Sequence, residues 1–321
     1  MRDDESPSRS RKIPKPPDLL RRGAPLPGSH PKSEAEDPQA ASRLRRLLES
    51  PNYLEGSEDL DFLRSDAARG VRLDLDYLKP ELQLQRHGVT DAIVVFGSTR
   101  LVEPKAAAAR LRTARRQAAA HPEDPARARA ARRAERIVEK SRYYEVARQF
   151  GALVGAAPEL PGGGRLAIVT GGGPGLMEAA NRGAFEARGK SVGLNITLPH
   201  EQFPNPYVTP DLCLRFHYFA IRKLHFLLRA RALVAFPGGF GTMDELFEVL
   251  TLAQTRKIEP LPIILVGEEF WRRAFDVEFL VEEGVIDPED RNLFWYAESA
   301  EEIWGDILYW RQKAGRPLAG R

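Results

Sequence analysis

Cysteine is nearly absent from this sequence. Cys213 is the single cysteine among 321 residues, so no intramolecular disulfide and no cysteine-based zinc site can form. It lies in the short apolar run Asp211–Arg215, which favours a buried thiol packing as a small hydrophobic group over a nucleophile. No other residues have the spacing of metal ligands, so the sequence predicts no metal site.

Long apolar runs and a strong charge bias are also missing. No run approaches the length that crosses a bilayer, and the charged start of the chain has no apolar core of a secretory signal, so we expect a cytoplasmic protein with no membrane partner. The net charge of +3 is too small for a chain that neutralises a nucleic-acid backbone along its whole length. An apolar share of 42% permits a substantial core.

The composition changes along the chain. Residues 1–40 are rich in Pro, Ser and charged residues without apolar periodicity, which predicts a disordered tail. Leucines in residues 41–90 predict a helical extension, and residues 91–321 predict a single α/β domain. Within that domain, an Ala- and Arg-rich insertion at about residues 104–150 resembles two helices.

The second predicted helix of the insertion runs through Ala130, Ile137 and Tyr144. The arginines of the insertion are interpreted as a solvated helical face, because they lack the interleaved aromatic residues that are typical of nucleic-acid binding.

Short apolar, β-branched runs alternate with helical segments. The run Asp91–Phe96 ends in glycine, which is typical of a buried parallel strand that enters a loop. This alternation predicts an α/β fold, a Rossmann-like open parallel sheet with helices on both faces and ligands at the carboxyl ends of its strands. Further strands are predicted at residues 166–170, 191–196, 212–215, 232–236, 262–266 and 293–296.

Three of these strand ends carry glycine: Gly97-Ser98, Gly171–Gly175 and Pro237–Thr242. The last two lead directly into helices, where free N–H groups and the helix dipole attract anions. Glycine permits the close approach of a phosphate group. Together these turns predict a phosphate or nucleotide site.

Two familiar fingerprints do not fit. A dinucleotide fingerprint needs glycine where Leu176 stands. A P-loop ending at Gly189–Ser191 would need its first glycine where Ala184 stands.

Charged residues accompany the glycine turns. Arg222 and Lys223 lie early in a helix that follows a strand end, and Asp244 and Glu245 are predicted in the first helical turn after the N-cap Thr242. A carboxylate beside a phosphate loop opposes binding unless it contacts another group, such as a ribose hydroxyl or a reacting water. Glu245 is therefore a candidate functional residue.

The segments Gly171–Asn181, Arg222-Lys223 and Pro237–Glu245 together resemble the LOG ("Lonely Guy") family of cytokinin riboside 5′-monophosphate phosphoribohydrolases, many of which were labelled possible lysine decarboxylases. The likeness extends from about Asp91 to the C-terminal helix, and the long N-terminal region resembles a longer bacterial form, relatives of which often act on AMP. Asp244 stands where glutamate is common, and Phe240 where tyrosine is common.

The resemblance implies hydrolysis of the N-glycosidic bond of a nucleoside 5′-monophosphate, without a cofactor, by at least a homodimer. It implies Arg222 and Glu245 as catalytic residues: Glu245 would stabilise an oxocarbenium-like transition state and activate water, and Arg222 would position the phosphate or assist departure of the base. The substrate-binding positions expected from the motifs and the resemblance are Gly97, Ser98, Gly172, Gly173, Gly175, Met177, Glu178, Lys223, Gly238, Gly239, Gly241 and Thr242.

Alternatives remain open. The same loops could serve a non-catalytic nucleotide-binding or carrier protein, and the basic tail could serve an RNA-associated protein. Lysine decarboxylation is disfavoured, because nothing marks a lysine that would form a Schiff base with pyridoxal phosphate.

Overall fold

The computed structural model describes residues 15–16, 28–160, 164–199 and 203–318. Most of the predicted disordered tail therefore lies outside the described residues. The chain divides into two units, Met1–Arg69 and Gly70–Arg321. The helices of the first unit are α1 (Ala40–Leu48) and α2 (Leu60–Arg64), and α3 (Arg69–Arg86) begins at the boundary between the units.

The second unit contains a seven-stranded, all-parallel sheet, as the alternating pattern predicted. In space the strands follow the order β4-β3-β2-β1-β5-β6-β7. Their bounds are β1 (Ala92–Phe96), β2 (Ala167–Thr170), β3 (Lys190–Ile196), β4 (Cys213–Phe216), β5 (Ala230–Ala235), β6 (Ile263–Val266) and β7 (Trp295–Ala297).

Helices cover both faces of this sheet. Alternate residues of β1 belong to different cores: Ile93 and Val95 face one layer, whereas Val94 and Phe96 face the other. The helix bounds are α4 (Pro104–Ala120), α5 (Pro125–Lys140), α6 (Arg142–Gly155), α7 (Leu176–Glu186), α8 (Phe219–Leu228), α9 (Phe240–Gln254), α10 (Glu268–Ala274), α11 (Val277–Glu282) and α12 (Ala300–Lys313). Helices α6, α7 and α12 contribute to the first core, and α8, α9 and α10 to the second.

The direction of strand progression reverses at β1. Strands β2 to β4 lie on one side of it and β5 to β7 on the other. The loops that follow β1 and β5 therefore lead into helices on opposite faces and leave a crevice at the carboxyl ends of the two strands, which is where open α/β sheets bind ligands.

The prediction of two helices in the insertion is wrong, because three are present. The break lies at Ser141, whose hydroxyl and N–H both donate to the carbonyl of Val138 (2.7 and 3.1 Å) and close α5. Helix α6 is buried against α7, and a Cβ at Gly151 would clash with the Ala180 carbonyl. Thus α6 is a layer of the sheet domain, and α4 and α5 precede it as a helical hairpin.

Candidate active site

A cavity of about 610 Å³ opens at the carboxyl ends of β1 and β5. The loops after β1, β2 and β5 and the end of β3 contribute to its wall. The predicted site residues that line it are Gly97, Ser98, Met177, Arg222, Gly238, Gly239, Gly241, Thr242 and Glu245. The predicted residues that do not line it are Gly172, Gly173, Gly175, Glu178 and Lys223.

The loop after β5 presents backbone donors at the start of α9. Thr242 and Met243 donate their N–H groups to the Gly239 carbonyl (both 3.0 Å), which begins the helical hydrogen bonding. Within the described part of the chain, the N–H groups of Phe240 and Gly241 precede these bonds and have no acceptor. The positive end of α9 therefore offers two free donors beside the cavity wall.

The prediction of Thr242 as the N-cap is wrong. The cap is Gly239, so Thr242 is the third residue of α9, and Asp244 and Glu245 lie beyond the first turn. Thr242 is buried, and a Cβ at Gly238 would clash with its side chain. Because Glu245 is further from the helix start than predicted, attraction to the dipole is a weaker reason for its presence.

Glu245 lies on the cavity wall with its side chain almost fully buried. Its Oε1 is 3.6 Å from Nη1 of Arg222, whose side chain is 13% exposed. Nε of Arg222 donates to the Leu194 carbonyl at the end of β3 (2.7 Å), and the guanidinium carbon lies 4.9 Å from the centre of the Phe226 ring. Arg222 is therefore fixed on both sides, beside the carboxylate.

Burial is the main influence on the ionisation of this pair. It raises the pKa of Glu245 to about 7, although the positive charges of Arg222 and Lys223 oppose the shift. Burial also lowers the pKa of Arg222, and the charges of Glu245 and Asp244 oppose that shift. A carboxyl group that titrates near neutral pH can take a proton from water, which is the property required of a general base.

The loop after β2 is held by a buried polar network. Asn205 donates its N–H to the Gly172 carbonyl (2.8 Å) and its side-chain amide to the Gly173 carbonyl (3.0 Å). The same amide reaches Asn181, which also bonds to the hydroxyl of Thr170 (2.7 Å). The carbonyl groups of Gly172 and Gly173 are thus bonded within the protein, and Gly171 alone of Gly171–Gly175 lines the cavity.

Backbone bonds of Ser98 connect three loops. Its N–H donates to the Pro237 carbonyl (3.0 Å), and its carbonyl accepts from the N–H of Leu176 (3.1 Å). A Cβ at Gly175 would clash with the Ser98 carbonyl, and the φ of Gly175 is +77°. Glycine is required at position 175 for both reasons, and its role is to let α7 start close to the β1 loop.

Two predicted binding residues have partners away from the cavity. The hydroxyl of Tyr144 donates to Glu178 (2.9 Å). Nζ of Lys223 lies 2.8 Å from Asp244 and 3.4 Å from Glu248. Neither Glu178 nor Lys223 lines the cavity, so in this structure Lys223 acts on the site through the field of its charge.

Several cavity residues escaped the motifs. Asn195, on β3, is a polar residue near the end of a largely apolar strand, a signal that could have been used. Arg100 follows the β1 loop, and Lys140 ends α5. Lys140 carries no local signal, because its approach to the cavity depends on how the insertion packs.

Cys213 is half-buried instead of fully buried, and burial raises the pKa of its thiol, which disfavours nucleophilic reactivity. In the described ranges, no group of three or more His, Cys, Asp or Glu side chains could hold a metal ion. No helix in those ranges is long and apolar enough to cross a membrane.

With this geometry established, comparison with known proteins identifies relatives. The family model described as possible lysine decarboxylase matches residues 177–307. A rice protein (Oryza sativa subsp. japonica), the probable cytokinin riboside 5′-monophosphate phosphoribohydrolase LOGL3, is 27% identical over 164 residues, which are 47% of this chain and 72% of the rice protein. The chain is related to the LOG family.

Other LOG relatives align over a shorter stretch. The cytokinin riboside 5′-monophosphate phosphoribohydrolase LOG1 of Arabidopsis thaliana is 37% identical over 84 residues, so this chain covers 39% of its length. Among solved structures, the molybdenum cofactor carrier protein of Chlamydomonas reinhardtii superposes with a TM-score of 0.39 at 19% identity, over 71% of this chain and 99% of the carrier.

Proposed function

We propose that this LOG relative hydrolyses the N-glycosidic bond of a nucleoside 5′-monophosphate, AMP or a cytokinin riboside monophosphate, to free base and ribose 5-phosphate. The observation that carries the proposal is a buried carboxyl group, Glu245, with a pKa of about 7, on the same helix as two free N–H donors. The similarity to rice and Arabidopsis proteins named as cytokinin riboside 5′-monophosphate phosphoribohydrolases supports the same reaction.

One face of α9 carries both parts of the site. Gly241 and Glu245 are four residues apart and Thr242 and Glu245 three, so all three share a face, and all three line the cavity. A rise of 1.5 Å per residue puts Glu245 roughly 7 Å along the axis from Phe240. That separation suits a ribose phosphate with its phosphate at the helix start and its C1′ near the carboxyl group.

In the proposed reaction, the bond between C1′ and the base nitrogen breaks and the base leaves with the electron pair. Positive charge develops on the ribose ring, where the carboxylate of Glu245 stabilises it. Glu245 takes a proton from water as the water oxygen bonds to C1′, and the departing base gains a proton. Because its pKa is near neutrality, a large fraction of Glu245 is ionised at pH 7.

Arg222 serves this reaction in two ways. Its guanidinium lies beside Glu245 and favours the ionised carboxylate. Arg222 also lines the cavity, where its remaining N–H groups can bind the phosphate or the departing base. Measurement of both kinetic constants for Arg222→Lys separates these roles: a raised KM indicates the phosphate, and a lowered kcat indicates the base.

The test is a panel of nucleoside 5′-monophosphates assayed for free base with the full chain. We expect base release from at least one adenine-containing monophosphate and at least 100-fold slower release from the matching nucleoside, because the helix N-terminus and positive side chains bind the phosphate. Nucleotide binding without base release from any member of the panel would instead support a non-catalytic carrier and contradict the proposal.

A further inference from the structure

Helix α5 carries a row of arginines on one face. Arg129, Arg132, Arg133 and Arg136 recur at the spacing of successive helical turns, and Lys140 ends the helix on the cavity wall. From Arg129 to Lys140 the row extends on the order of 16 Å. It belongs to the insertion, so the core of the fold does not require it.

Most of these arginines have no counter-charge. Within the described ranges Arg129, Arg132 and Arg133 form no ion pair, and Arg136 pairs with Glu139 at 2.9 Å. All four side chains are exposed. Several other surface arginines do have carboxylate partners: Arg115 pairs with Glu135, Arg148 with Glu186, and Arg272 with Glu268. Exposed arginines without carboxylate partners attract anions from solution.

The arginine face continues into the candidate active site. It lines a shallow cavity of about 570 Å³ together with Ser98, Arg100 and Leu101. Those three residues also line the main cavity. Among the described residues, five arginines and no acidic side chain line the shallow cavity. It therefore extends the candidate site outward with strong positive charge.

We propose that this arginine face is a second anion site, at the mouth of the candidate active site, that binds a polyphosphate group. A single phosphate already has donors at the start of α9, and five arginines can neutralise more charge than one phosphate carries. The polyphosphate belongs either to the 5′ chain of the bound nucleotide or to a separate polyphosphorylated molecule. Both sources present the same chemistry to the arginines.

A small polyanion suits this face better than a nucleic acid does. Within the part of the chain that the structure describes, no aromatic side chain lines the shallow cavity, whereas proteins that bind single strands stack bases on aromatic rings. The net charge of the chain is only +3, so the surface as a whole does not carry the strong positive charge that is typical of nucleic-acid binding.

The experiment is calorimetric titration of the full chain with inorganic tripolyphosphate, and with orthophosphate for comparison, at about 150 mM salt where distant charges are screened. We expect tripolyphosphate to bind at least about tenfold more tightly than orthophosphate. The triple variant Arg129→Gln, Arg132→Gln, Arg133→Gln is expected to weaken tripolyphosphate binding about tenfold or more.

A matched control lies on α4. Arg110, Arg112 and Arg116 are exposed, line neither cavity and form no ion pair among the described residues, so changing all three to glutamine removes the same charge. The α4 variant is expected to bind tripolyphosphate within about twofold of the unchanged chain, because screening limits its effect to its own surroundings. Equal losses in the two variants would show an effect of net charge alone and overturn the proposal.

Two further titrations separate the sources. Tighter binding of ATP than of AMP, dependent on the α5 arginines, assigns the site to the nucleotide's own chain. Tripolyphosphate binding that persists in saturating AMP assigns it to a separate molecule. Tripolyphosphate binding no tighter than that of orthophosphate, or a single-stranded oligonucleotide bound more tightly through the same arginines, overturns the proposal. These readouts measure binding, so they remain interpretable if base release is not detected.

Discussion

The loop after β2 and the loop after β5 both join a buried strand to a helix through glycines, yet their backbone groups have different partners. In the β2 loop, the carbonyl groups of Gly172 and Gly173 bond to Asn205. In the β5 loop, the N–H groups of Phe240 and Gly241 have no acceptor within the described part of the chain. Those two backbone carbonyl groups of the first loop are thus already hydrogen-bonded within the protein, whereas the free N–H groups of the second loop can bind a ligand.

This difference shows that glycine content alone does not identify a phosphate loop. Gly175 is required because the chain there has a positive φ and meets the Ser98 carbonyl. Gly239 has open space around its missing side chain and an ordinary negative φ. Four predictions test this difference between the loops and the charged residues beside the β5 loop. They run from the largest expected effect to the smallest.

The largest expected effect is the difference in stability between two variants, each of which replaces one loop glycine with alanine. Gly175→Ala introduces a left-handed backbone strain and a clash with the Ser98 carbonyl, so we expect a loss of about 3 kcal/mol or more in the free energy of unfolding. Gly239→Ala fills open space at an N-cap and should cost less than about 1 kcal/mol. Denaturant unfolding of both variants measures the difference. Equal losses would contradict the proposed roles of the two loops.

The next effect concerns pH and belongs to the helix after the β5 loop. The pKa of Glu245 is raised from 4.5 to about 7 by burial, so the folded protein holds this proton more tightly than the unfolded chain. The resulting stability is fully present below about pH 4.5 and is lost as the pH rises through about 7. Between pH 5 and pH 8, the unchanged protein should lose about 2–3 kcal/mol relative to Glu245→Gln, which cannot titrate.

Unfolding of both proteins at a series of pH values measures this loss. Glu302→Gln is a control whose stability difference from the unchanged chain should stay constant between pH 5 and pH 8. Hydrogen bonds from the backbone lower the pKa of Glu302, so this carboxylate remains ionised over that range and loses its contribution only at lower pH. If the unchanged chain and Glu245→Gln lost stability in parallel with pH, the carboxyl group of Glu245 would not titrate in this range. That result would contradict the raised pKa of Glu245.

A smaller loss is expected when the β2 loop network is broken. Asn181 is fully buried and bonds to Thr170, Ser191 and Asn205. Asn181→Ala leaves these polar groups unsatisfied and should cost about 2 kcal/mol of unfolding free energy. Base release per folded molecule should change less than about threefold, because the network does not line the cavity.

The matched control for Asn181→Ala is Asn292→Ala, which removes an exposed amide. Its effect on stability should be within about 0.5 kcal/mol of zero. If Asn181→Ala abolished base release while the protein stayed folded, the β2 loop would have a direct part in the reaction.

The smallest effect is expected from Lys223, a residue that the family resemblance suggested as a ligand. Its ammonium group pairs with Asp244 and Glu248 and does not line the cavity. Lys223→Gln should change the KM for the nucleotide less than about threefold, because only a partly screened charge is removed. A tenfold rise in KM would show that Lys223 reaches the nucleotide when it binds.

Much of the fold could be predicted from the sequence because its signals are local. The run Asp91–Phe96 is apolar without alternation, since β1 is buried on both faces, and it ends in glycine where the ligand crevice lies. The motif around Glu245 placed that residue on the helix after the β5 loop for the same reason, although it did not identify Gly239 as the cap.

Long-range contacts account for what the sequence did not show. Asn205 lies 32 residues after Gly173, yet its backbone N–H and its side-chain amide bond to the carbonyl groups of Gly172 and Gly173, and no local sequence pattern predicts this pairing. Lys140 reaches the cavity only through the packing of α5, and the break at Ser141 separates α5 from α6 without a proline or glycine.

The most direct test of the central claim is kcat/KM for base release from the preferred nucleoside monophosphate, measured at pH 7 for the unchanged chain, for Glu245→Gln and for the neighbouring Asp244→Asn. Loss of the buried carboxyl group should lower kcat/KM by about 100-fold to 10,000-fold, the usual contribution of a general base. Asp244→Asn, which alters a half-exposed carboxylate outside the cavity, should change it less than about threefold. Undiminished base release by Glu245→Gln would contradict the account.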